Sequence, residues 1–284
     1  MSVFNHPVYL AERNYQRAVM ERSRAGRVWI LLALVMLLPA LLTSLFLFFS
    51  TLLFGRAVTV VPAESGFDPL PMLQLLMVVM NVALYFVIAL IAAALANFSV
   101  EREKQGNTWD LLRLTGISAR DLVWGKWLAS LRAILGDYII LALLRLGWAT
   151  WFAAGFRVIA PADALPIPTT ILLLVALALV FTVIDAAFNT ALSVAIALAE
   201  PSRRTGATGL GVRGMAMLVT VWAWVQVIAR LYDSPGAVFL WHGIVYLVVY
   251  AALTLVVVYA AQRLAIRAGY LTNTNIEKVS NDYR

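Results

Sequence analysis

Residues 71–98 read PMLQLLMVVMNVALYFVIALIAAALANF, a stretch without a single Asp, Glu, Lys or Arg. At about 1.5 Å of rise per residue, a helix of this length exceeds the roughly 30 Å hydrocarbon thickness of a bilayer. Lipid offers no hydrogen-bond partners, so a backbone immersed in it must satisfy itself. The apolar residues are continuous, not alternating, which selects a helix over a barrel strand.

Working outward, the same pattern recurs at residues 28–54, 122–154, 168–199, 212–231 and 237–262, predicting six transmembrane helices in an all-α membrane protein. Composition agrees: 62% of the 284 residues are hydrophobic and only 13% charged, too few to build the polar shell of a soluble domain.

The basic residues set an orientation. Arg13, Arg17, Arg22, Arg24 and Arg27 precede the first span, and Arg102, Lys104, Arg113, Arg120 and Lys126 lie at the second-to-third connection. Arg203, Arg204 and Arg213 join spans four and five, and Arg263, Arg267, Lys278 and Arg284 follow the sixth. The alternate loops hold only Arg56, Arg157 and the borderline Arg230. The positive-inside rule then places both termini in the cytoplasm, in a multi-pass topology expected for the cell's inner (plasma) membrane. Net charge of +7 is accounted for by this asymmetry and by attraction to anionic lipid, with no nucleic acid partner needed. The first apolar run is too long for a cleavable signal. Having no cysteine, the chain has neither disulfides nor thiolate metal sites.

The chain divides into a cytoplasmic segment 1–27, a transmembrane body 28–268 and a polar tail 269–284. In the first, Asn5-His6-Pro7 signals a helix start. Val8, Ala11, Tyr15, Ala18 and Val19 then recur at helical spacing, predicting an amphipathic helix on the membrane surface with charges elsewhere around it. Trp124, Trp127, Trp148, Trp151, Trp222, Trp224 and Trp241 fall near span ends and read as an interfacial aromatic belt.

The connection EREKQGNTWDLLRLTGISARDLVWGK, residues 101–126, is too patterned for a simple linker. Asn107 or Thr108 can cap a short helix whose apolar face carries Trp109, Leu112 and Leu111. Gly116 ends it, and Ser118 can cap a second helix running into the third span. Glu101, Arg102 and Glu103, then Gly106, Thr108, Leu111, Leu112, Thr115, Ser118, Gly125 and Lys126, resemble the loop of the type-2 ABC transporter permease family. Asn5-His6-Pro7-Val8 is similar to that family's amino-terminal Asn-Pro-Val. The sequence departs from the pattern where His6 and Asn107 stand as extra residues and where Gly116 replaces a turn proline.

The resemblance implies a coupling helix within residues 101–126, seated on a separate ABC ATPase subunit that binds ATP and Mg. It implies a dimer with a second permease copy or a paralogous one, and an exporter whose ATPase-coupling residues are Glu101, Glu103, Gly106, Thr108, Trp109, Leu111, Leu112, Thr115 and Ser118. This chain itself has no G-x-x-x-x-G-K-[ST] phosphate loop, so no ATPase site of its own is expected. Gly209 to Gly214 match G-x-G-x-x-G but follow no strand, and read as a loop.

Polar groups at membrane depth are costly and require partners. Arg132, Asp137 and Arg145 fall in the third span, Asp185 and Asn189 in the fourth, with Asp137 and Asp185 near one depth. A carboxylate paired with Arg132 or Arg145 is expected, as a structural lock or as part of a polar path that also includes Asn81, Tyr85 and Gln226. An ion- or proton-coupled carrier using Asp137 and Asp185 is the alternative reading. No nucleophile, base and oxyanion site assemble, so catalysis is not expected.

Overall fold

The computed structural model describes residues 6–22, 24–54, 69–105, 114, 117–159, 167–199 and 235–268. Seven helices carry them: α1 (Pro7–Arg22), α2 (Arg24–Phe54), α3 (Pro69–Gln105), α4 (Ala119–Ala133), α5 (Leu135–Ile159), α6 (Ile167–Ala199) and α7 (Pro235–Arg267). No strand occurs among the described residues. The expected span 212–231 and the tail 269–284 lie outside them.

α2, α3, α6 and α7 are each long and apolar enough to cross a membrane, and a fifth crossing results if α4 and α5 form one bent span. The chain is thus a multi-pass membrane protein in its helices. Their hydroxyl side chains follow the same logic. Thr51, Thr150, Thr190 and Thr254 each donate to the carbonyl four residues back, at 2.7–2.9 Å. A hydroxyl satisfied within its own helix needs no water.

The expected continuous span 122–154 is broken. α4 and α5 meet at 53° around Ile134. Ile134 leaves helical geometry (φ −94°, ψ 3°), while its amide still donates to the Ser130 carbonyl and its carbonyl accepts from the Tyr138 amide. No proline causes the bend. Gly136, a weak helix former, sits just beyond it, and a Cβ there would meet nothing within 4 Å. α5 meets the length and hydropathy of a crossing only together with α4.

α4 packs across one end of the bundle. Leu122, Val123 and Trp127 bury themselves against Ala191 and Ala195 of α6 and Val258, Ala261 and Ala265 of α7. Farther along, Ile88 and Ala92 of α3, Ile134 beside the bend, Tyr138 and Leu141 of α5 and Ala186 of α6 share a second cluster. α2 joins through Ala40, Leu47, Met77 and Leu144. Gly147 makes that approach possible. A Cβ there would collide with Ser44 Cα, and its amide donates to Ser44 Oγ at 2.7 Å. Small residues at a close crossing, with a polar bond between helices, are how helices associate in lipid.

Outward faces remain apolar. Val35, Leu38, Leu42, Phe46, Phe49 and Leu53 follow one another at helical spacing along α2, all exposed within the chain. In water such a stripe would be a liability, whereas in lipid it is solvated.

Candidate functional site

The expected surface helix has its phase turned. Tyr9, Glu12 and Gln16 form the buried face of α1, while Ala11, placed in the apolar stripe by sequence, is exposed. Polar side chains point inward because charge waits for them there. Lys126 of α4 is 1% exposed, and its Nζ donates to Glu103 Oε1 at 2.8 Å, Ser99 Oγ at 2.6 Å and Glu12 Oε2 at 3.3 Å. Arg102 reaches Glu12 at 3.4 Å and Glu103 at 3.8 Å, with its guanidinium 3.7 Å above the Tyr15 ring.

Two carboxylates therefore meet two cations. Balance of this kind is what permits ions to be buried, since an isolated one would cost several kcal/mol in desolvation, on the order estimated for real interiors. Gln16 extends the network, its Nε2 donating to Glu12 Oε1 at 3.1 Å and to Ser130 Oγ at 3.2 Å.

α1 and α4 run parallel and in step. His6 Nε2 lies 3.9 Å from Asp121 Oδ2, Gly125 faces Val8 and Tyr9, Glu12 meets Lys126, and Gln16 meets Ser130. Gly125 is required at this crossing, because a Cβ would stand 2.9 Å from Val8 Cγ1 and 3.2 Å from the Tyr9 amide nitrogen. His6 also caps α1, accepting at Nδ1 from the Val8 amide at 3.4 Å and at its carbonyl from Leu10.

Of the residues expected to contact an ATPase, Ser118 and Glu103 are described in full. Ser118 caps α4 as the sequence predicts, accepting from the Asp121 amide at 3.0 Å and donating to Asp121 Oδ2 at 2.7 Å. Glu103 belongs to the buried cluster. Glu101 lies near the end of α3, with only its backbone described. Gly106, Thr108, Trp109, Leu111, Leu112 and Thr115 lie outside the described residues.

A second polar group lies among α3, α5 and α6. Asp185, fully buried, accepts from Tyr85 Oη at 3.1 Å and Tyr138 Oη at 3.4 Å, and Asn189 Nδ2 donates to Tyr138 Oη at 2.7 Å. Arg145 donates to Thr182 Oγ1 at 2.5 Å, and the Thr182 hydroxyl in turn donates to the Ala178 carbonyl at 2.6 Å. The Arg145 guanidinium carbon also stands 5.3 Å from the Phe181 ring centre and 5.8 Å from that of Tyr85.

Asp137 and Asp185, expected near one depth, do not meet: it is Tyr138 that turns toward Asp185, and Asp137 is only half-buried. Arg132 is exposed, apart from this group. Asn81, one turn before Tyr85, buries its Oδ1 without a hydrogen-bond partner among the described residues. Gln226 lies outside the described residues.

Trp127 is no belt anchor. Its Nε1 donates to the Ala187 carbonyl and to Thr190 Oγ1, both at 3.0 Å, joining α4 to α6 in the interior. Lys126 was legible as part of a motif but not as a buried ion. Neither Glu12 nor Gln16 carried any signal beyond their spacing of one helical turn. No protein-family model, no curated protein and no solved structure matches the chain.

Proposed function

We propose that this chain is the transmembrane permease subunit of an ABC exporter, crossing the inner (plasma) membrane six times with both termini in the cytoplasm. It works as a dimer with a second copy or a paralogous permease, and separate ATPase subunits bind ATP and Mg. The observation supporting this reading most is the fixed base of the motif-bearing segment. Glu103 before it and Lys126 after it are joined at 2.8 Å, and Ser118 starts a packed helix immediately beyond it. A segment that receives force needs such a footing. Trp109 and Leu112 then supply an apolar contact to the ATPase.

The test is Trp109→Ala with Leu112→Ala in the complex that co-purifies with the chain's ATPase. Transport-coupled ATP hydrolysis is lost while helical circular dichroism is retained. Normal coupled hydrolysis in that variant would reject the reading.

One observation favours a second reading, an ion- or proton-coupled carrier. Asp185 is wholly buried among hydroxyl and amide groups, with Asp137 on the neighbouring helix at the level of Tyr138. Gradient-driven uptake by the chain alone in liposomes would support the carrier, and its absence the exporter.

A further inference from the structure

We propose that Lys126 is a positioning residue: it pins α1, the last turn of α3 and α4 into one mechanical unit that carries the 106–116 segment. The functional part rests on the exporter reading, whereas the pin itself does not.

Three separate pieces of chain converge on one nitrogen. Glu12 comes from α1, Ser99 and Glu103 from the end of α3, and Lys126 from the second turn of α4. The Lys126–Glu103 bond closes the base of the segment between α3 and α4. The Lys126–Glu12 bond ties that base to α1, and Gln16 to Ser130 repeats the tie one turn on. Because α1 and α4 advance in parallel register from His6–Asp121 to Gln16–Ser130, α1 cannot shift along its axis without breaking contacts at every level.

The unit's outlets are equally specific. α4 is packed on the ends of α6 and α7, and Trp127 is bonded to α6. Between α4 and α5 stands the 53° break at Ile134. A push on residues 106–116 is therefore delivered first to α1, α6 and α7, and only through a bend to α5. Since α1 offers its polar face to Lys126 and keeps Leu10, Arg13 and Arg17 outward, its seat is the protein and not the lipid alone.

Hydrogen exchange of the full chain in lipid nanodiscs tests this. Glu12→Gln with Lys126→Met removes one charge of each sign and leaves Arg102 and Glu103 balanced. Amides of α1 and of residues 101–105 are expected to exchange together, at least about tenfold faster than in the native chain, as one cooperative unit opens. Gly125→Val keeps every charge but collides with Val8, and is expected to release α1 in the same way. Should the charge variant fail to fold, Gly125→Val decides alone. Unchanged α1 protection in the folded variants overturns the pin, whatever partner the chain has. Coupled ATP hydrolysis at the native rate in a variant whose α1 is released would overturn the positioning role.

Discussion

Lys126 Nζ and Glu103 Oε1 lie 2.8 Å apart from opposite sides of the loop between α3 and α4, with both side chains at most 9% exposed. Removing one member of such a pair leaves its partner's charge stranded. Lys126→Met alone is expected to lose about 3–5 kcal/mol of stability, and Glu12→Gln with Lys126→Met clearly less, because the double change strands no charge. Denaturant titration in detergent micelles compares the two. Equal losses would mean that the ions are screened by water.

Two glycines on α5 are expected to respond in opposite directions. Gly147→Ala forces a Cβ into Ser44 Cα and to within 2.6 Å of Ser44 Oγ, so a loss near the upper end of the roughly 1–3 kcal/mol overpacking range follows. Gly136→Ala meets nothing within 4 Å and gains helix propensity, about 0.5–1 kcal/mol. Thermal melts of both variants check the sign of each change.

Tyr138→Phe should cost more than Tyr85→Phe, by about 1 kcal/mol. Both changes take a donor from Asp185, but Tyr138 Oη also accepts from Asn189, whose amide would be left buried and unbonded. A double-mutant cycle with Asp185→Asn separates the shared part from the rest. If Tyr85→Phe proves the costlier, the Asn189 bond contributes nothing.

Trp127→Phe keeps a buried ring but loses the indole bonds to Thr190 and the Ala187 carbonyl, for an expected loss of about 1–2 kcal/mol. Trp151, which is 44% exposed, should tolerate the same change within about 0.5 kcal/mol. Melting temperatures in one lipid composition distinguish a structural tryptophan from an interfacial one.

The long helices were legible because hydropathy is a local property: residues 71–98 exclude water without reference to any other part of the chain. Ser118 was legible for the same reason, since a cap is settled within three residues. Ile134 was not, because an apolar run reports its length and not its straightness. Glu12 and Lys126 were hidden by distance. Residues 114 apart in sequence leave no periodic trace of their pairing. The turned phase of α1 follows from that omission, as Tyr9, Glu12 and Gln16 become a buried face only when α4 supplies Gly125, Lys126 and Ser130.

The same separation orders events during synthesis. Glu12 leaves the ribosome 114 residues ahead of Lys126, which at roughly 5–20 residues per second is a wait of about 6–23 s. Arg102 on α3 comes within reach of Glu12 after 90 residues, but Gly125, Lys126 and Ser130, which complete the seat of α1, arrive only at the end of that interval. α1 is thus translated early and docked late, and its docking is a report that α4 has arrived.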